Sequence, residues 1–165
     1  MSEQRPHYDL RPTRPTWTHL ALYVSDIERA IAWYEEFTHL RVLTRAQDQD
    51  GYTVWLGDET EADHPFILVL GQFLEGHDPF APAKHAALGP FAHIGIEVPE
   101  KHLVDEAAAK AKDAGCLVFG PMQMPKRIGY ICFLRDPDGN RVEFSYDQGV
   151  YEKARETWGG KSAGN

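Results

Sequence analysis

Hydrophobic and polar positions alternate in two short segments of this 165-residue chain, and the two segments are alike. Residues 17–24 read WTHLALYV and residues 91–98 read FAHIGIEV, with aliphatic side chains at alternate positions. A period of two predicts a β-strand that buries one face. The segments align on His19 and His93, which lie 74 residues apart (93 − 19), so the pattern predicts an internal duplication.

A helical pattern follows each of these strands. Residues 25–37 carry apolar side chains at helical spacing, and Ser25 with Glu28 forms a candidate capping box. Residues 99–115 show the same spacing between an opening proline and a closing glycine. Both stretches therefore predict amphipathic helices that pack on the apolar face of a sheet.

Three further strand patterns complete each half, at residues 40–46, 51–57 and 66–70 in the first and at 116–119, 129–135 and 141–146 in the second. The sequence from Asp136 to Gly139, DPDG, predicts a type I turn before the last strand. Each half therefore reads strand–helix–strand–strand–strand. The predicted fold is α+β, with two βαβββ modules side by side and helices on one face, because neither half could bury its sheet alone.

Composition shifts along the chain predict its division. We expect an N-terminal arm at 1–14, a first module at 15–73, a linker at 74–90, a second module at 91–148 and a C-terminal extension at 149–165. The linker is rich in Pro, Gly and Ala. A short helix is expected at 149–158 within the extension.

Charge and cysteine content narrow the class of protein. The chain has 17 Lys and Arg against 25 Asp and Glu, a formal net charge of −8, which argues against nucleic acid and anionic membrane surfaces as partners. No apolar run approaches the length of a membrane span. The two cysteines form no CxxC motif, so we expect no disulfide scaffold and a location in the reducing cytoplasm.

Three polar side chains are predicted on the face of the sheets that carries no helix. Alternation puts His19 and His93 opposite the aliphatic face of their strands, and Glu143 opposite the apolar side of the last strand. Each alone is most simply a solvated surface residue. Two imidazoles and one carboxylate together suit Fe²⁺, Mn²⁺, Zn²⁺ or Ni²⁺, with positions left for substrate or water.

Three motifs, WTHLALYV…HLRVL, FAHIGIEV and FLRDPDGNRVEF, resemble the vicinal oxygen chelate superfamily over about residues 17–147. That superfamily includes glyoxalases, extradiol ring-cleaving dioxygenases, and fosfomycin- and bleomycin-resistance proteins. The resemblance implies an open cup of paired modules around one divalent metal ion, which chelates neighbouring oxygens of a small-molecule substrate. Carried over by motif, it makes His19, His93 and Glu143 the metal ligands.

The resemblance also indicates which branch of the superfamily this chain is most similar to. Residues 66–70, FILVL, hold no ligand where lactoylglutathione lyases place a fourth, and Ala21 stands where fosfomycin enzymes carry Thr. Three ligands are similar to the ring-cleaving dioxygenases, so a dioxygenase-like enzyme with Fe²⁺ is the preferred interpretation. A glyoxalase-like lyase or isomerase, a metal-free drug-binding protein and a purely structural metal remain alternatives.

The catalytic residues that a dioxygenase requires are only partly present. Its tyrosine, ten residues before the ligand Glu, is replaced here by Phe133, and Tyr130 is the nearest substitute. His77 is the candidate acid/base, and His85 is a second possibility, although each is also typical of a surface loop. The family further implies a homodimer, with the cup formed either within one chain or across the dimer.

Overall fold

A computed structural model describes residues 12, 14–125 and 127–159. The arm expected at 1–14 therefore lies almost entirely outside the described residues. The elements, in chain order, are β1 (His19–Tyr23), α1 (Ile27–Phe37), β2 (Arg41–Gln47), β3 (Gly51–Gly57), β4 (Ile67–Phe73), β5 (Ile94–Glu97), α2 (Lys101–Asp113), β6 (Leu117–Gln123), β7 (Tyr130–Arg135), β8 (Arg141–Tyr146) and α3 (Val150–Trp158).

Each half of the chain forms its own four-stranded sheet. The strand orders are β1-β4-β3-β2 and β5-β8-β7-β6, so the two sheets have the same topology. The first and last strands of each half pair in parallel, and the other neighbours pair antiparallel. The prediction of an α+β fold built from two βαβββ modules is therefore confirmed.

The first helix begins one residue later than its sequence pattern predicts. Asp26, not Ser25, is the N-cap, and its Oδ1 accepts a hydrogen bond of 3.0 Å from the backbone N–H of Arg29. The predicted capping box of Ser25 and Glu28 is therefore wrong. The Ser25 backbone N–H instead donates to Asp138 Oδ1 at 2.9 Å, far along the chain in the other module.

One hydrophobic core joins the two modules. It combines the aliphatic sides of both sheets with the inner faces of α1 and α2, represented by Leu22, Leu70, Tyr34, Val104 and Val142. The strand faces that alternation predicts to be apolar are the faces turned into this core. The opposite, open faces carry neither α1 nor α2. Next to their histidines Trp17 is 87 % and Phe91 is 89 % exposed, although Glu143 on the same face of the second sheet is buried.

The turn between β7 and β8 fastens the modules together. The predicted turn is confirmed, because the Gly139 N–H donates to the Asp136 carbonyl at 3.1 Å. The buried Asp136 carboxylate accepts bonds from Tyr34 Oη on α1 at 2.9 Å and from Asn140 Nδ2 at 2.7 Å. Burial, followed by the neighbouring Asp136 charge, raises the pKa of Tyr34 far above its usual range. Tyr34 is therefore a permanent neutral donor to this turn.

Two further properties concern the lengths of the helices and the state of the cysteines. Among the described residues, no helix has both the length and the apolar character that crossing a membrane requires. Cys116 and Cys132 are both free thiols, and Cys132 is buried against α2 with its Sγ 3.7 Å from the Val104 carbonyl oxygen.

Candidate metal centre

Two of the predicted ligands meet on the open face of the second sheet. Glu143 lies in the middle of β8, and His93 immediately precedes β5, the strand that pairs with β8 in parallel. His93 Nε2 lies 3.6 Å from Glu143 Oε2. That separation is too long for a direct hydrogen bond, so the two atoms approach each other without satisfying each other.

The orientation of His93 is fixed by its own chain. Its Nδ1 lies 2.6 Å from the backbone carbonyl oxygen of Phe91. Because a carbonyl only accepts, Nδ1 carries the proton, and in the neutral imidazole Nε2 turns its lone pair toward Glu143. The Phe133 ring packs edge-on against the imidazole, with centroids 5.1 Å apart. A histidine held through Nδ1 with a free Nε2 is the usual arrangement of a metal ligand.

Glu143 is buried, at 4 % exposure, and its two carboxylate oxygens differ in their contacts. Its Oε1 accepts a hydrogen bond of 2.8 Å from Gln148 Nε2. Burial raises the pKa of Glu143 above its ordinary value, whereas His93 and the Gln148 hydrogen bond act in the opposite direction. A cation beside Oε2 would stabilise the charged form of this carboxylate.

The geometry of the pair fits two ligands of one ion. Nitrogen and oxygen ligands about 2.0–2.2 Å from a divalent metal are about 3.0–3.5 Å apart in octahedral or tetrahedral arrangements, close to the gap between His93 and Glu143. Within the part of one chain that the structure describes, however, no three His, Cys, Asp or Glu residues lie close enough to hold a metal ion. The described part of one chain thus brings together two of the three candidate ligands.

The third predicted ligand, His19, lies apart from this pair. It begins β1 on the open face of the first sheet, where it is exposed and its Nδ1 lies 2.9 Å from Thr18 Oγ1. Ile67 and Val69 pair with His19 and Ala21, so the neighbouring positions of β4 on this face are apolar. These are the positions at which the sequence predicts no fourth ligand.

The strand β4 extends past its predicted end at residue 70 and includes Gln72. The Gln72 side chain faces the helix side, because its Oε1 accepts a bond of 2.8 Å from the backbone N–H of Ile27 at the start of α1. It is a support for α1 and not a candidate ligand.

The two candidate catalytic residues lie elsewhere. Tyr130 faces α2 on the opposite side of the sheet from Glu143, with its Oη 2.6 Å from Asp105 Oδ1. The sheet therefore separates Tyr130 from the pair of candidate ligands, His93 and Glu143. His77 is half-exposed in the loop after β4, with its Nδ1 3.3 Å from Asp50 Oδ1.

His85, the second acid/base candidate, is built into an aromatic cluster. Its ring stacks on Tyr23 with centroids 4.1 Å apart, and Phe73 and Phe80 lie about it. Its Nε2 lies 2.8 Å from Asp78 Oδ2. The linker thus folds back onto the open face of the first sheet, at the far end of β1 from His19.

Sequence reasoning missed Gln148, which contacts the candidate ligand Glu143 directly. It lies just past the last strand, outside the duplicated pattern, and no motif marks it. The only available signal is its position two residues beyond β8 on the chain that carries Glu143.

Comparison with known proteins agrees with this architecture. The sequence model of the Glyoxalase/Bleomycin resistance protein/Dioxygenase superfamily matches residues 16–144. An uncharacterized protein of Pseudomonas aeruginosa, PA2024, is 40 % identical over 81 % of this chain and 90 % of its own length. The lactoylglutathione lyase of Neisseria meningitidis serogroup A is 27 % identical over 76 % of this chain and 86 % of its own.

Solved structures show the same fold at lower identity. Glyoxalase I of Leishmania major, described as trypanothione-dependent, has a TM-score of 0.64 at 22 % identity, covering 92 % of this chain and 100 % of its own. The fosfomycin resistance protein FosX of Listeria monocytogenes has a TM-score of 0.60 at 11 % identity, covering 87 % and 99 %. The chain therefore belongs to the Glyoxalase/Bleomycin resistance protein/Dioxygenase superfamily.

Proposed function

We propose that this protein is a divalent-metal-dependent enzyme that acts on a small molecule with two adjacent oxygens. The metal is held by His93 and Glu143 of one chain and by His19 of a second copy. The observation that carries the proposal is the approach of two ligand atoms, His93 Nε2 and Glu143 Oε2, to 3.6 Å, with the imidazole fixed through Nδ1.

The second copy is inferred from the sheet faces that one chain leaves exposed. The open faces of both sheets carry large exposed aromatic residues beside the histidines, Trp17 next to His19 and Phe91 next to His93. Exposed apolar surface around polar groups is typical of an interaction site. A homodimer that covers both faces would bury these aromatics and complete two equivalent metal centres.

When bound, the ion would act as a Lewis acid that polarises the substrate oxygens. The residues of the chain would bind and orient it: His93 through Nε2, Glu143 through Oε2. Three protein ligands leave positions for two substrate oxygens. The rings of Phe133 and Phe91 lie beside the imidazole and would limit water around the reacting atoms.

A lyase or isomerase reaction is supported better than the dioxygenase reaction that the ligand count alone favours. Phe133 packs on His93 where a dioxygenase would use tyrosine, and Tyr130 lies behind the sheet. Two Neisseria relatives are named lactoylglutathione lyases. We therefore propose a 2-oxo-aldehyde adduct as the substrate class. The preference for Fe²⁺ weakens accordingly, and the donor set suits Fe²⁺, Mn²⁺, Zn²⁺ or Ni²⁺.

The test combines metal analysis with an assay panel. Protein purified without chelators is expected to hold about one metal ion per chain, and His93→Ala to lose it. His102→Ala is the matched control, since His102 also lies near carboxylates, Glu100 and Glu106, but at an exposed position of α2. A wild-type protein that binds none of the four ions would overturn the proposal.

The reaction class is tested on protein reconstituted with each ion. Adducts of 2-oxo-aldehydes with thiols are expected to be converted without oxygen uptake. Oxygen consumption with a catechol, combined with no turnover of the adducts, would contradict the lyase assignment and favour a dioxygenase.

A further inference from the structure

Gln148 occupies an unusual turn at the end of the metal-bearing strand. Its neighbours on either side have left-handed backbone, with φ 61° at Asp147 and φ 74° at Gly149. A non-glycine residue rarely adopts such a φ, although Asp is among those that tolerate it. Between these two residues, the Gln148 side chain reaches back along the chain to Glu143 on β8.

Gln148 donates hydrogen bonds to two carboxylates, one from its backbone and one from its side chain. Its backbone N–H donates to Glu97 Oε1 at 3.0 Å, and its side-chain Nε2 donates to Glu143 Oε1 at 2.8 Å. Glu97 lies on β5, the strand next to β8 and directly after His93. Gln148 therefore connects the strand that carries one ligand of the pair to the side chain of the other.

The consequence concerns which oxygen of Glu143 is free. Oε1 is engaged by Gln148, whereas Oε2 lies 3.6 Å from His93 Nε2. A carboxylate can bind a metal through one oxygen or two, and an unrestrained one can turn to use both. A donor on Oε1 occupies one lone pair of that oxygen and restrains the carboxylate from turning, so it favours binding of the ion through Oε2.

We propose that Gln148 is a positioning residue that holds Glu143 as a one-oxygen ligand and so keeps a coordination position open for substrate. The inference rests on the proposed metal centre. It assigns to Glu97 the supporting role of holding the Gln148 backbone in place.

The test removes the side-chain N–H donor of Gln148 while keeping the length of the side chain. In Gln148→Met the side chain retains its length and loses its N–H. Titration with Co²⁺ is expected to show an affinity about 10–100-fold weaker than wild type, the usual effect of losing a partner that orients a ligand. At saturation the visible absorption per bound cobalt is expected to fall, because a second carboxylate oxygen raises the coordination number.

Matched variants separate positioning from general damage. Gln123→Met removes a glutamine donor whose side-chain N–H bonds the backbone carbonyl of Met124, and it is expected to behave as wild type. Glu97→Ala is expected to reproduce part of the Gln148→Met effect, whereas Glu97→Gln, which keeps an acceptor oxygen, is expected to retain wild-type affinity.

The outcomes distinguish this inference from the proposed function. If wild type binds Co²⁺, His93→Ala does not, and Gln148→Met matches wild type in affinity or in absorption, the role of Gln148 is wrong while the metal centre stands. If wild type itself binds no Co²⁺, the metal centre is wrong and the inference falls with it. Circular dichroism on each variant confirms that the fold is retained.

Discussion

At the scale of single residues, buried polar groups decide what each part of the molecule can do. Glu143 and Asp136 are both buried carboxylates on the second module. Asp136 is fully engaged, accepting bonds from Tyr34, Asn140 and backbone N–H groups, so it is structural. Glu143 has one oxygen engaged and one turned toward His93. The difference in satisfaction, not in burial, separates a support from a candidate ligand.

The bond between Tyr34 and Asp136 gives the first prediction. Tyr34→Phe leaves a buried carboxylate without one donor, so we expect the free energy of unfolding to fall by about 1.5–3 kcal/mol, as for a hydrogen bond to a charged group. Urea denaturation followed by circular dichroism measures this. Tyr151→Phe, at an exposed position on α3, is the control and is expected to change nothing.

The same bond predicts a dependence on alkaline pH. The pKa of Tyr34 is raised in the folded protein, so its contribution is complete below the ordinary tyrosine value. Above about pH 10 the unfolded chain ionises this tyrosine while the folded protein does not, and the contribution declines. The stability difference between wild type and Tyr34→Phe should therefore narrow from pH 9 to pH 11. A difference that is constant or widens over this range would contradict the assignment.

At the scale of secondary structure, local pattern predicts which face of an element is buried but not where the element ends. Alternation places His19, His93 and Glu143 on the open faces, and the structure agrees, because their neighbours in the strands enter the core. The start of α1 and the end of β4 differ from prediction. At the start of α1, the adjacent Asp26 takes the cap, while the Ser25 backbone N–H is bound to the distant Asp138. The end of β4 carries the contact of Gln72 with Ile27, which is far apart in sequence and which no local pattern contains.

The start of α1 supplies a prediction at this scale. Asp26→Ala removes the side-chain acceptor of the first helical turn and is expected to cost about 0.5–2 kcal/mol. Ser25→Ala is expected to cost little, since the contact of Ser25 with Asp138 uses only its backbone. Chemical denaturation of the two variants compares them directly. A larger loss for Ser25→Ala than for Asp26→Ala would contradict the N-cap observed here.

At the scale of the whole molecule, the duplication predicts that the two modules carry equivalent histidines. It does not predict whether these histidines meet within one chain or between two chains. The repeat identifies His19 and His93 as counterparts, and this much is available from sequence alone. Whether they meet in one chain depends on how the modules pack. The structure joins the modules through a core on the helix side and through Tyr34, Ser25 and the Asp136–Asn140 turn, which leaves both open faces unpaired. Under the proposed function, the third ligand is therefore assigned to a second copy of the chain.

That arrangement makes a prediction that a site within one chain cannot satisfy. His19→Ala and His93→Ala are each expected to abolish metal binding in the homodimer. Co-expressed with different affinity tags, the two variants form a heterodimer in which one centre combines the intact His19 of one chain with the intact His93 and Glu143 of the other. The second centre lacks both histidines. The isolated heterodimer is therefore expected to bind about half as much metal as wild type, because a twofold dimer carries two equivalent centres.

Metal analysis measures the recovery, and a heterodimer of two His93→Ala chains with different tags is the control. If the mixed heterodimer binds no metal while wild type does, the centre is not shared in this way between two copies.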